Sequence, residues 1–361
     1  MKVAVDMLHQ HSVSKGGGIG RYADDLIAGL VRHGRGDQYL PVAPGPRPFH
    51  PVGWANHLKR FITVERPDIF LLPSPFEWQR PLPRRGALGA CKLAAVLYDL
   101  IPLRFPDTYL GNAKRQRWYY NTIALLRDCD LILANSEATR QDAVHLAGMD
   151  SSRIAVIYGI VDDRFAPGPV DRGLLAHLGI TGEYALYVGA LKDPRKNLSH
   201  LLEAFAAARA SLATRPQLVI VSKESLRHLP VRAGLSPGDV IVTGPLPDDG
   251  LIHLYRGASF LAHPSLWEGL GLTVLEAMAC GTPVLTSATS SLLEVASGSA
   301  ELVDPGSVAS IAGAMTTLWC DPQRCAELRT NGLERVQAFR WAPVAGRASA
   351  ALRSCVGLSA E

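Results

Sequence analysis

Aromatic side chains are sparse in this sequence, 7% of its 361 residues, and no stretch approaches the roughly eighteen uncharged apolar residues that a membrane-spanning helix needs. A spanning helix is therefore not expected. The chain opens directly on the strand-like Lys2-Val3-Ala4-Val5-Asp6, so no signal peptide is expected either. Its six cysteines, Cys91, Cys129, Cys280, Cys320, Cys325 and Cys355, form no Cys-x-x-Cys pair and sit among apolar neighbours. They read as reduced thiols of a cytoplasmic protein, not as a disulfide framework. No group of His, Cys, Asp or Glu has metal-ligand spacing, and there is no solenoid-period repeat or low-complexity tract. Nucleic acid is not an expected partner.

What is present suits a soluble globular chain, with 47% hydrophobic and 19% charged residues, and its length suits two domains. Strand-length apolar runs alternate with helical segments, the pattern of parallel sheets covered by helices. Strands are predicted near 2–6, 68–73, 92–98, 130–134 and 154–158, then near 184–188, 217–221, 239–243, 258–262 and 283–286. Each half can form its own doubly wound α/β domain. Proline and glycine in Phe165-Ala166-Pro167-Gly168-Pro169 interrupt both periodicities, dividing the chain into 1–166 and 167–341. Ligands of such sheets bind beyond the C-terminal ends of the strands, here in a cleft between the two domains.

The densest functional signal runs from His263 to Glu276, His-Pro-Ser-Leu-Trp-Glu-Gly-Leu-Gly-Leu-Thr-Val-Leu-Glu. A strand ends, a loop carrying Gly269 and Gly271 follows, and a helix opens. Glycines at a helix entrance let backbone N–H groups approach an anion, and the helix N-terminus adds unpaired donors and partial positive charge. Seven residues separate Glu268 from Glu276, so both can face one pocket. Two plainer readings stand beside this one: Glu268 as an exposed loop carboxylate, and Thr273-x-x-Glu276 as a capping box.

This stretch resembles the Glu-x7-Glu signature of family-4-type retaining glycosyltransferases, whose fold is the two-domain GT-B architecture. The resemblance extends through Gly281-Thr282-Pro283-Val284 and Ser290-Ser291-Leu292-Leu293-Glu294-Val295, with Leu270 in place of the usual Phe and Thr273 in place of Pro. It implies a catalytic Glu268 beside the donor sugar, loop positions Gly269, Leu270, Gly271, Leu272 and Thr273 around the diphosphate, and Glu276 on the ribose. It also implies that the segment from about 342 to 361 returns to the first domain as a final helix, and that no metal or other cofactor is required, the nucleotide sugar being a co-substrate.

Three other segments join this reading. Lys15-Gly16-Gly17-Gly18-Ile19-Gly20-Arg21-Tyr22 follows the first strand and precedes a helix expected from about Gly20 to Arg32. Alone it reads as a flexible turn; its likeness to the family's Gly-Gly-Ile-Gly-Arg-Tyr implies donor contacts at Gly17 and Gly18 and an acceptor contact at Arg21. At the end of the strand near 92–98, Asp99 is either a loop cap or a catalytic carboxylate facing the cleft. Tyr98 stands where many relatives have His, with a hydroxyl able to meet sugar but a poor base at neutral pH. Arg195 and Lys196 precede a helix, where cations oppose the macrodipole unless an anion offsets them. The family's Arg-Lys-Asn motif assigns both to the leaving diphosphate. Ala190 stands where some relatives have Arg. His263, with no carboxylate partner evident in sequence, is left out of the catalytic set.

Charge is uneven: residues 1–180 hold 22 Lys and Arg against 17 Asp and Glu, within a formal net charge of +4 for the whole chain. Basic residues mix with aromatics in Lys114-Arg115-Gln116-Arg117-Trp118-Tyr119-Tyr120. That is either a solvated face or one that meets anionic headgroups at the inner membrane face. The expected activity is transfer of a hexose from a nucleotide sugar to a hydroxyl with retention. The residue variants look most like bacterial polysaccharide mannosyltransferases, which points first to GDP-mannose and to a glycan or lipid-linked acceptor. A UDP-sugar donor, a nucleotide-sugar 2-epimerase and a non-catalytic sugar-nucleotide-binding subunit remain as alternatives. The sequence does not speak to oligomeric state.

Overall fold

A computed structural model describes residues 1–12, 18–34, 36–43, 51–78, 81–224, 235–236 and 238–359. The chain divides into two compact units, Met1–Ile160 with Phe339–Glu361, and Val161–Ala338. The break precedes the Pro-Gly interruption because that segment is tied to the second unit. Arg256 donates from Nε to the Ala166 carbonyl at 2.8 Å and from Nη1 to the Pro169 carbonyl at 3.3 Å, and the Phe165 ring lies 6.1 Å from that of Tyr255.

The first unit holds β1 (Lys2–Asp6), β2 (Gln38–Val42), β3 (Ile69–Leu72), β4 (Lys92–Leu97), β5 (Leu131–Ala134) and β6 (Ile154–Val156). They form one sheet in the order β2-β1-β3-β4-β5-β6, with every neighbouring pair parallel. The second holds β7 (Tyr184–Val188), β8 (Gln217–Val221), β9 (Val240–Gly244), β10 (Phe260–His263), β11 (Val284–Ser287) and β12 (Glu301–Val303). Their order is β12-β11-β10-β7-β8-β9, again parallel throughout. Both are Rossmann-like doubly wound sheets. Inner strands such as β3, β5 and β10 are buried at every position, as expected when helices cover both faces.

Two strands, β2 and β12, were not predicted. Each lies at a sheet edge, β2 carrying Pro41 and mostly unburied residues, β12 only three residues long. Edge strands need no continuous apolar run and tolerate proline, so the signal that marks inner strands is missing. The winding direction reverses between β1 and β3 in the first unit and between β7 and β10 in the second. At such a switch point the loops beyond the two strands diverge and leave a crevice.

The final helix, Trp341–Cys355, buries Val344, Ala345, Ala348 and Leu352 in the first unit. It packs where Gly29, on helix Gly18–His33, is small enough: a Cβ there would stand 3.2 Å from Trp341 Cε3 and 3.4 Å from Ala345 Cβ. Arg353 Nη1 donates to Asp37 Oδ1 at 3.1 Å and Arg347 Nε to the Ile157 carbonyl at 3.2 Å. Truncating the fully buried Leu352 to Ala leaves a cavity and is expected to cost about 2–5 kcal/mol. Urea unfolding of Leu352→Ala should show a lower midpoint at unchanged slope; an unchanged midpoint contradicts this docking.

Candidate functional site

The switch point of the second unit brings together three residues that sequence placed seventy positions apart. Beyond β7 the chain makes a short turn, Pro194–Lys196, capped by Asp193, whose Oδ1 accepts the Arg195 N–H at 3.1 Å. Beyond β10 it runs through residues 264–271. Arg195 Nη1 donates to Glu268 Oε2 at 2.6 Å, and Lys196 Nζ to Glu268 Oε1 at 2.6 Å. Arg195 Nη2 also reaches Asp193 Oδ2 at 3.0 Å. Two cations thus face two carboxylates.

Glu268 is buried, not an exposed loop carboxylate. Burial alone would raise its pKa, but Lys196, a hydrogen bond from His263 and Arg195 together outweigh it and hold the carboxyl well below its usual range. The cations at this helix entrance therefore have their offset already: Glu268 and Asp193 supply the negative charge that sequence reasoning sought in a diphosphate. They stand in a turn ahead of helix Leu198–Ser211, not on it.

His263 completes the group. Its Nε2 is 3.1 Å from Glu268 Oε1 and 3.2 Å from Ser265 Oγ. The ring is buried, and burial lowers its pKa against the pull of Glu268. Its carboxylate partner was hidden from a search for spaced motifs because it follows only five residues later, across the loop.

The loop that carries Glu268 is held by its own carbonyls. From His263 to Glu268 each of the six backbone oxygens accepts a side-chain donor: Thr286, Asn197, Ser287, Thr289, Arg195 and Ser291 in turn, at 2.6–3.2 Å. The Glu268 N–H donates to Ser290 Oγ at 3.1 Å. Asn197 sits in the left-handed region at φ 59° and donates a second time, to the Pro305 carbonyl at 2.8 Å. The sequence signal for these supports is the hydroxyl-rich run Thr286-Ser287-Ala288-Thr289-Ser290-Ser291.

After Glu268, Gly269 is half-buried and Leu270 buried. Gly271 caps helix Leu272–Ala279 at φ 89°, and a Cβ there would stand 2.6 Å from Leu292 Cδ2. Thr273 is therefore inside the helix, and the capping box is not formed: no side chain caps this end. The amides of Leu272 and Thr273 have no protein acceptor among the described residues, which is the ordinary state of a helix's first turn and suits an anion. Glu276 is buried in the second turn and accepts the Tyr255 hydroxyl at 3.0 Å.

In the first unit the expected residues are more dispersed. Gly17 lies outside the described residues. Gly18 opens helix Gly18–His33 with nothing within 4 Å of a would-be Cβ, and Arg21 is half-buried on its first turn. Asp99 Oδ1 accepts the Ile101 N–H at 3.0 Å, which is the cap reading. Tyr98 differs from its expected role as a sugar contact. Its ring is buried edge-on to Tyr22 at 4.9 Å, and its hydroxyl donates to the Pro73 carbonyl at 2.5 Å. That geometry serves packing.

Comparison with known proteins fits both halves. A family model described as Glycosyltransferase Family 4 matches residues 16–165, and one described as Glycosyl transferases group 1 matches residues 182–321. The chain belongs to the family-4-type glycosyltransferases. The chain is 32% identical over 264 residues to the serotype-specific mannosyltransferase WbdA of Escherichia coli, covering 70% of this chain and 32% of that one. It is 31% identical over 229 residues to O-antigen chain mannosyltransferase B of Escherichia coli, covering 60% and 58%. The chain thus spans about a third of the length of the WbdA relative. Alr3699/HepE of Anabaena, solved with UDP and glucose, superposes with a TM-score of 0.73 at 18% identity, over 98% of this chain and 100% of that one. WaaG, a glycosyltransferase involved in lipopolysaccharide biosynthesis, gives 0.65 at 15% identity, over 96% and 98%. These likenesses identify the fold as GT-B.

The buried network makes two stability predictions. Ser287→Ala and Ser291→Ala each leave a buried carbonyl unsatisfied and should cost about 1–3 kcal/mol, read by chemical unfolding; no loss in either contradicts the pinned loop. Burial holds the pKa of His263 in the folded chain below its ordinary value of about 6.5, near which it protonates when unfolded. The unfolded chain then binds more protons below that pH, so this contribution is complete above it and is lost as pH falls. Glu268, held low, loses its contribution only in stronger acid, below about 4. The melting temperature should fall from pH 7.5 to pH 5, and fall less in His263→Gln; equal falls contradict the assignment.

Proposed function

We propose that this chain is a retaining hexosyltransferase that moves mannose from GDP-mannose to a hydroxyl of a glycan or lipid-linked oligosaccharide in surface polysaccharide synthesis. The observation that carries the reading is the meeting of Arg195, Lys196 and Glu268 at the second unit's switch point, where the loop carrying Glu268 leads within four residues into helix Leu272–Ala279, whose N-terminus no side chain caps. The names borne by the Escherichia coli relatives support the mannosyl choice.

In this reaction the bond from the anomeric carbon to the diphosphate oxygen breaks, and the acceptor oxygen bonds to that carbon from the same face. The acceptor's proton passes to the departing phosphate oxygen. Negative charge develops on the diphosphate, and Arg195, Lys196 and the loop amides stabilise it selectively. Positive charge develops on the sugar, and Glu268 faces it. Glu276, with Tyr255 on one oxygen, is assigned to the ribose, and Gly17, Gly18, Arg21 and Asp99 of the first unit to donor and acceptor. The two cations take the electrostatic part that a divalent ion has in other transferases, so no metal is required.

No helix among the described residues is long and apolar enough to cross a membrane. A lipid-linked acceptor is instead reached by peripheral contact. On helix Ala113–Arg127 the exposed Lys114, Arg115 and Arg117 flank the exposed Tyr120, and Lys114 Nζ stands 5.8 Å above the ring of the exposed Trp78. Cations around exposed aromatic rings suit an anionic membrane surface.

A donor panel tests the reading. GDP-mannose should raise the melting temperature more than UDP-sugars do, and transfer to a lipid-linked glycan should persist in EDTA. Glu268→Ala and Lys196→Ala should each lower kcat at least 100-fold. A preference for UDP-sugars contradicts the donor choice, epimerisation of donor alone indicates a 2-epimerase, and full activity of both variants rejects the site.

A further inference from the structure

Glu268 meets three donors of two kinds. Arg195 and Lys196 are charged and partly accessible, with side chains 12% and 16% exposed; His263 is 1% exposed. An incoming diphosphate competes for the first two, because a charge-assisted bond to phosphate rivals one to carboxylate. It cannot compete for the third. We propose that His263 is a positioning residue that keeps the Glu268 carboxylate oriented when a nucleoside diphosphate sugar draws Arg195 and Lys196 away. This rests on the transferase reading given above.

The hydrogen-bond geometry gives the ring one tautomer. A carboxylate only accepts, so Nε2 carries the proton toward Glu268 Oε1. Nδ1 is then the unprotonated nitrogen, and it has no hydrogen-bond partner among the described residues. Protonating Nδ1 would leave a buried charged ring with an unsatisfied donor, a costly arrangement. The imidazole therefore stays neutral, and a neutral donor has no net charge for a diphosphate to attract. Its backbone is also fixed, since the His263 carbonyl accepts Thr286 Oγ1 at 3.0 Å. Stripped of both cations, Glu268 would retain one directional bond, which is enough to hold an oxygen toward the sugar.

The consequence is a split between binding and turnover. In His263→Leu, GDP affinity should stay within 2-fold of wild type, since the diphosphate ligands are untouched, while kcat falls at least 10-fold. His263→Gln, whose amide can donate in place of Nε2–H, should recover at least half of the loss on a logarithmic scale. Loss of kcat and GDP affinity together, or equal defects in the Leu and Gln variants, would show a merely structural role and overturn the proposal. Should His263→Leu not fold, histidine-selective 15N NMR of the wild type reads the bond directly. The Nε2-protonated signal, assigned through His263→Gln, should persist on saturation with GDP; its loss overturns the proposal. Failure of wild type to bind any sugar nucleotide would sink the transferase reading and this proposal with it, whereas binding with loss of the Nε2-protonated signal would overturn the proposal alone.

Discussion

Six consecutive carbonyls, His263 to Glu268, each capped by a side-chain donor, are the constraint on which the site depends. A loop leaving the middle of a parallel sheet carries polar backbone into a buried place, and each unsatisfied group there costs about 1–3 kcal/mol. Here the donors come from two segments: Thr286 to Ser291 after β11, and Arg195 with Asn197 after β7. The loop is therefore fixed before any ligand arrives. Preorganisation of this kind lets charged groups act on a transition state without first reorganising.

The charged cluster sits on that fixed loop. Buried ion pairs add little net stability, because desolvation consumes most of the attraction. What they supply is placement. Glu268 holds Arg195 and Lys196 side by side and Asp193 also accepts from the guanidinium, so that in the proposed reaction a diphosphate would meet both cations together. On the proposal made above, the carboxylate that balances the cations at rest would become available for the sugar once phosphates took its place, and His263 would hold it in both states.

Much of this was legible in the sequence, and the failures have physical causes. Inner strands announced themselves as apolar runs; edge strands β2 and β12, with Pro41 and a three-residue length, did not. The Glu268 motif and the Arg195-Lys196 pair were found separately, but their direct contact depends on β7 and β10 being neighbours, a fact of sheet order that no local pattern carries. Asn197 read as the end of a motif and proved to be a strut. His263 was set aside because a histidine and a carboxylate five residues apart meet only if the loop between them folds back. Tyr98 was misjudged because a strand-end hydroxyl looks available until the neighbouring Pro73 carbonyl is in place. Of the readings left open for Thr273, the capping box fails because Gly271, with its positive φ, starts the helix earlier than a threonine cap would.

The central claim is that Glu268 and the donor diphosphate share the same two cations in turn. Titration calorimetry of GDP into wild type and Glu268→Gln measures it directly. If the carboxylate competes for Arg195 and Lys196, neutralising it strengthens GDP binding by about 1 kcal/mol or more, roughly 5-fold in Kd. Weaker GDP binding to Glu268→Gln would contradict the account, showing that the carboxylate serves the diphosphate site only by holding its cations in place.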